Sequence, residues 1–253
     1  MFSRNTKVDT ELNRAVEHLI KTGGKEKILP IVQMGEPVLR QSAVEYDGQL
    51  SKRTLSKLIE AMHVTMLEAP GVGLAAPQIG LGLRIAVVED HVRVGGRGVD
   101  DNPEGHVGSK DSQDSSNQQD DSDDEDTIND ANDPREIAEF PFRAIINPTY
   151  EPIGTQQRSF YEGCLSFSGY QAVRRRWLDI VARWQDEEGN KHQEHLHGWP
   201  ARIFQHETDH LSGEVYIDQA EIRSLATDEN LEDYWCEDPV PRDAAKELGF
   251  KLA

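Results

Sequence analysis

His206, Glu207 and His210 stand in the run His-Glu-Thr-Asp-His. On a helix, side chains four apart share a face, so the two imidazoles could reach one metal ion. Glu207 would then lie beside the ion without binding it, placed to take a proton from a water held there. Metal-assisted hydrolysis is the chemistry this spacing suits, and a solvated polar turn that matches by accident is the competing reading. Two imidazoles leave a tetrahedral site one protein ligand short if one position is kept for water.

A helix is expected to carry the motif. Pro200 suits a first turn, Ile203, Phe204 and Leu211 supply an apolar stripe, and Gly213 is a stop. Such a helix would be short and largely buried. In Glu162-Gly163-Cys164-Leu165-Ser166, the Cys164 thiolate could be the third ligand. A buried cysteine acting as a small hydrophobe is an alternative. A nucleophilic Cys164 paired with histidine is another, and it leaves Glu207 and one histidine without a role. The segment from Gly71 to Gly80 contains GxGxxA. Dinucleotide binding fails on context, because a helical stripe precedes the segment and Pro77 interrupts any helix begun there. Gly71 and Gly73 could instead let backbone approach a ligand closely, with Gln78 as an uncharged donor. Simple packing of small residues is the competing reading.

These segments need elements to position them. Helical spacing predicts a first helix over 9–20 and a stronger one over 51–68, with Leu55, Leu58, Ile59, Met62 and Met66 in one stripe. Residues 28–33 form a short apolar run. Strands are expected at 83–89 and 142–146, the second closed by Asn147-Pro148, as neighbours separated by a long insertion. A meander follows, with strands over 171–174, 178–184 and 191–196. Beyond Ile217 the chain is polar and expected to be helical, with Ile222, Leu225 and Ala226 as a short apolar stripe. Strands mixed with a few helices, without regular βαβ alternation, argue an α+β fold.

Charge is unevenly spread over the 253 residues. The chain carries net −19, and residues 100–136 hold fourteen acids against only Lys110 and Arg135, which is −12 of that total. Such a segment cannot bury enough apolar surface to offset its ordering entropy and is expected to be mobile. It is read as a solvated loop, with recruitment of a basic partner as the alternative. So acidic a chain disfavours direct nucleic-acid binding. No run is apolar and long enough to suggest a membrane span, and the opening residues show no secretory signal. Cys164 and Cys236 are expected to stay reduced, and a cytoplasmic location follows.

Taken in order, GVGLAAPQ, EGCLS and QHETDH resemble the three motifs of the peptide deformylase family. The resemblance covers residues 36–217 apart from the insertion. It implies antiparallel sheets packed around a central helix that carries the histidines. It further implies removal of the formyl group from N-formylmethionyl chains, with water as co-substrate and transient proximity to the ribosome. Carried over by residue, Cys164, His206 and His210 would bind the metal, and Glu207 would be the acid/base group. Gln78 and the Leu165 N–H would hold the oxyanion. Fe(II) is the implied metal; thiolate and imidazole donors also suit Zn(II), Ni(II) or Co(II). Arg176 would pair with Asp209 behind the site. A tight cleft at Gly71, Gly73 and Gly163 would exclude larger acyl groups, and Val72 and Ile203 would receive the methionine side chain. Ser168 replaces a usual proline, which implies a less rigid loop, and Thr208 replaces an apolar residue. The expected organisation is an N-terminal helical extension over 1–35, a catalytic domain over 36–217 interrupted by the acidic insertion at 95–138, and a polar, helical C-terminal extension over 218–253. A zinc endopeptidase using Glu214 or Glu221 as third ligand is the rival enzyme.

Overall fold

Two amphipathic helices build the face opposite the metal motif. The computed structural model describes residues 8–91 and 133–253. Asp9 caps helix α1 (Thr10–Thr22) by accepting from the Glu11 and Leu12 N–H groups. Ser51 caps α2 (Lys52–Glu68) by accepting from Thr54 N–H. The predicted stripe of α2 is buried, with Leu58, Met62 and Met66 fully enclosed.

Among the described residues eight strands follow: β1 (Gly73–Ala75), β2 (Ile85–Asp90), β3 (Phe140–Pro152), β4 (Gln157–Glu162), β5 (Tyr170–Trp177), β6 (Asp179–Gln185), β7 (Lys191–His197) and β8 (Ala226–Thr227). They form an antiparallel five-stranded sheet, β1-β2-β3-β6-β7, and a three-stranded sheet, β4-β5-β8. Side chains alternate along β2 to opposite faces, and both faces are covered. Leu74, Ile85, Val87 and Ile146 pack against α2. Ala86, Val88, Ile145 and Ile180 pack with Ala201, Ile203 and Phe204 of α3 (Gly198–His210). This explains why 85–88 is a continuous apolar run. The motif helix is thus held against the inner face of the larger sheet while it also touches β5 of the smaller one.

β2 and β3 are neighbours as expected, with Val87 opposite Ala144. The mobile acidic insertion expected between them lies, through residue 132, outside the described residues. Three expectations need correction. Asn147-Pro148 does not close β3, because the strand continues to Pro152 through a register shift between Ile146 and Thr149. Asn147 takes φ +50° there, and an irregularity tolerates the missing N–H of Pro148. β4 was not anticipated. The chain after Ile217 is not one helical stripe. Ile222–Ser224 is a single 3₁₀ turn with Ile222 exposed, Ala226 joins β8, and two short helices follow, α4 (Asp228–Tyr234) and α5 (Arg242–Leu248). Three apolar residues cannot anchor a longer helix when β5 offers Ala226 a backbone partner at Gln171. Among the described residues, no helix is long and apolar enough to cross a membrane.

Candidate active site

Helix α3 delivers two of the donors. His206 and His210 are one turn apart on it, with ring centroids 5.0 Å from each other. Cys164 arrives from the loop after β4, and its Sγ is 3.3 Å from His210 Nε2. The ligand atoms of Cys164, His206 and His210 all lie within 4.8 Å of one another. Glu162 fixes the ring of His206 through an Oε2···Nδ1 contact of 3.1 Å, which leaves Nε2 for a metal. His210 Nδ1 is buried without a partner among the described residues. These donors fit a tetrahedral thiolate–imidazole site with one position open.

Glu207 is 3 % exposed, and its Oε2 has no hydrogen-bond partner among the described residues. Burial pushes its pKa up to about 7, against the pull of the His206 and Arg176 charges. A carboxyl poised near neutrality can both take and return a proton. Gly73 makes room for it, because a Cβ there would fall 2.3 Å from Glu207 Oε1. Gly71 is similarly tight, with its absent Cβ 2.9 Å from Leu165 Cδ1.

The segment after β1 turns through a 3₁₀ helix at Ala76–Ile79, closed by Gly80 at φ +80°. Gln78 is buried in it, and its Oε1 accepts from Ala75 N–H at 2.7 Å. That bond settles the amide orientation, so Nε2 donates toward Cys164 Sγ at 3.6 Å. The Leu165 N–H has no acceptor among the described residues, while its carbonyl is held by Gln33 Nε2 at 2.9 Å. Gln33 also anchors the loop that Ser168 was expected to loosen: Ser168 Oγ donates to Gln33 Oε1 at 3.1 Å. Thr208 is buried, and its hydroxyl has no partner among the described residues.

Behind the ligands lies a buried charge network larger than the expected Arg176–Asp209 pair. That pair forms at 2.7 Å, and Arg176 also grips Glu162 with two bonds of 2.6 and 2.9 Å. Arg202 binds Glu162 from the other side, while Tyr150 Oη donates to Asp209 Oδ1 at 2.9 Å. Against the burial that raises it, Arg176 and Arg202 hold the Glu162 carboxyl well below the usual range. Sequence reasoning passed over Glu162 and Arg202. A signal for Arg202 was there: it lies four residues before His206, on the same helix face. Glu214 accepts from Arg174 at 2.6 Å and Glu221 lies 3.9 Å from Arg175, so neither stands with the histidines as a third ligand.

A cavity of about 760 Å³ opens over these groups, lined by Gly71, Val72, Gly73, Gln78, Gly163 and Ile203 among others. The sequence profile described as Polypeptide deformylase matches residues 28–225. The chain belongs to the peptide deformylase family. It is an enzyme that removes the N-terminal formyl group from formyl-methionyl polypeptides and releases formate, and the family is metal-dependent. It is 69% identical over 252 residues to a peptide deformylase of Bifidobacterium adolescentis, covering all of both chains. Peptide deformylase 1 of Streptomyces coelicolor is 43% identical, over 95% of this chain and 94% of that one. Among solved structures, the deformylase of Thermotoga maritima is 30% identical with a TM-score of 0.53, covering 76% of this chain and 97% of that one. A class I type b deformylase of Acinetobacter baumannii, solved with Met-Ala-Ser bound, is 25% identical with a TM-score of 0.56, over 76% and 98%.

Proposed function

We propose that Cys164, His206 and His210 hold one divalent ion, Fe(II) in the native enzyme, and that Glu207, Gln78 and the Leu165 N–H carry out the deformylation around it. The convergence of one sulfur and two ring nitrogens beside a buried, unpartnered carboxylate oxygen carries this reading. When bound, such an ion supplies Lewis acidity and lowers the pKa of a coordinated water toward ~7. The resemblance supplies the choice of Fe(II), since the donor set also accommodates Zn(II), Ni(II) and Co(II).

The peptide lies extended in the cleft between the edge strand β1 and the loop 163–165, using backbone pairing along its length. Val72 and Ile203 receive the methionine side chain. Crowding at Gly71, Gly73 and Gly163 admits a formyl hydrogen and excludes larger acyl groups. Glu207 takes a proton from the attacking water and returns it to the methionine nitrogen as the C–N bond breaks, leaving formate and a free amine. As the formyl carbon becomes tetrahedral its oxygen gains charge. Gln78 Nε2 and the Leu165 N–H then bind it more strongly than they bound the amide, and that difference lowers the barrier. Glu162, Arg176 and Asp209 act through the ligands by fixing the His206 ring and the helix that bears it.

Such an enzyme works where nascent chains are made, in the cytoplasm and near ribosomes, with no membrane or nucleic-acid contact required. The bacterial relatives support that location. On this reading residues 1–35 and 218–253 are extensions of a catalytic domain over 36–217, and the insertion at 95–138 stands outside the chemistry. The test is formate release from a formyl-methionyl peptide by anaerobically purified protein, beside Glu207→Gln. Activity lost in the variant supports the proton-transfer role, and equal rates defeat it.

A further inference from the structure

The metal donors occupy one end of the cleft, and the other end is made by a different part of the chain. Leu231, Trp235 and Pro239 line the same cavity, together with Tyr170. Leu231, Trp235 and Pro239 lie beyond residue 225, where the match to the family ends, and Tyr170 lies within it. The wall they form is fastened to the loop that bears Cys164. β8 pairs with the start of β5, Tyr170 opposite Thr227, and Asp228 N–H donates to Gly169 O at 3.1 Å. Gln171 Nε2 adds a bond of 3.1 Å to Asp228 Oδ1, and Thr227 caps α4 through Asn230 N–H.

The wall presents apolar surface that the fold does not use for itself. No residue of α4 is buried, Leu231 and Trp235 are half-buried along the cleft, and Tyr170 is 42% exposed. The Tyr170 ring is stacked on Phe167 at 5.4 Å and 16°, so it offers a fixed face. Clefts of roughly 300–1,000 Å³ enclose most of a drug-sized ligand, and this one extends from the metal donors to Pro239 without interruption. A formyl-methionyl group is held at the donor end, so the peptide that follows it is the occupant continuous with this wall.

We propose that the C-terminal segment 226–239 is a second peptide-binding site, in which Tyr170, Leu231 and Trp235 receive an apolar or aromatic side chain from the residues just after the formyl-methionine. The inference rests on the deformylase reading, and its test separates the two. Formate release by the full-length, metal-loaded enzyme is measured on formyl-Met-Ala-X and formyl-Met-X-Ala, with X as Phe, Leu, Gly or Ser. Wild type is expected to favour Phe and Leu over Gly by roughly ten-fold in kcat/KM at one of these positions, the scale of one partly buried apolar side chain. As uniform binding, equal in ground and transition states, the contact should raise kcat/KM through KM. Trp235→Ala should cut that preference at least five-fold, and Trp235→Phe should restore most of it. Equal rates for all X in wild type, or an undiminished preference in Trp235→Ala, overturn the second site while leaving deformylation intact. A preference that rises with enzyme concentration overturns it too, by assigning the wall to a second copy of the chain. Absence of formate release from every peptide overturns both readings.

Discussion

Gly73→Ala is the substitution whose effect the geometry fixes most closely. The added methyl would lie 2.3 Å from Glu207 Oε1, 2.5 Å from its Cδ and 2.7 Å from its Cγ. Ordinary contact begins at 3.4 Å, so the carboxylate or the β1 backbone must move by about 1.1 Å. Glu207 is 3% exposed on a helix packed against the sheet, so the only side to which it can swing is the cavity, away from its present position. Overpacking of this kind costs about 1–3 kcal/mol of stability. A displacement near 1 Å in a reacting group can cost ~10²-fold in rate. The expected outcome is therefore a folded protein with kcat reduced about a hundred-fold. Metal content should be unchanged, because the three atoms nearest the methyl all belong to Glu207 and none to Cys164, His206 or His210. Steady-state formate release and metal analysis on the same preparation check both halves. A variant with wild-type kcat, or one that loses its metal while Glu207 stays active, refutes the reasoning.

Three further outcomes are expected. Gln78→Ala removes one oxyanion donor and should lower kcat about 10²–10³-fold with little change in KM; a change confined to KM would reassign Gln78 to ground-state binding. Glu162→Gln leaves Arg176 and Arg202 facing a neutral amide in the interior. It should cost on the order of 3–5 kcal/mol by chemical denaturation, and metal affinity should fall about 10–100-fold, read by competition with a chelator. His197 sits between Asp179, at 2.7 Å, and Glu136. The Asp179 hydrogen bond raises the His197 pKa, with Glu136 adding to it, while Asp179 itself is lowered by the two histidines it meets against the burial that raises it. The histidine's contribution is therefore full below about pH 6.5 and lost as pH rises through its folded value; the aspartate's is lost only as pH falls below its ordinary range. His197→Gln should lower unfolding free energy more at pH 5.5 than at pH 8.5, by no more than ~1 kcal/mol for so exposed a pair, as read by denaturation at each pH. A gap that is equal at both pH values removes this pair from the pH dependence.

The groups that converge at the candidate site were legible because each announces itself locally. Two histidines at helical spacing, a glutamate between them and a cysteine in a glycine-bearing loop carry their chemistry in residue type and interval. The burial of α2 and the pairing of β2 with β3 followed from apolar periodicity, which survives in a single sequence. What was missed depends on partners far apart in the chain. Glu162 has its meaning only where Arg176, Arg202 and His206 meet it, up to 44 residues away. The extension of β3 past Pro148 depends on β6 accepting the irregular register, and β8 exists because β5 leaves an edge at Tyr170–Gln171. Trp235, next to Tyr234 in a polar tail, shows no role in the sequence until that pairing brings α4 onto the cleft. Ser168 is a related case: its hydroxyl meets Gln33, 135 residues earlier, a contact that no local pattern announces.

The most direct measurement is X-ray absorption at the metal edge of the zinc-reconstituted enzyme, in wild type and in Cys164→Ala. Wild type should show one sulfur at ~2.3 Å and two imidazole nitrogens at ~2.0–2.1 Å, and the variant should lose the sulfur shell together with most of its metal. A wild-type spectrum with only nitrogen and oxygen neighbours, or a Cys164→Ala protein that binds zinc as tightly as before, would contradict the assignment of this thiolate and these two histidines to one ion.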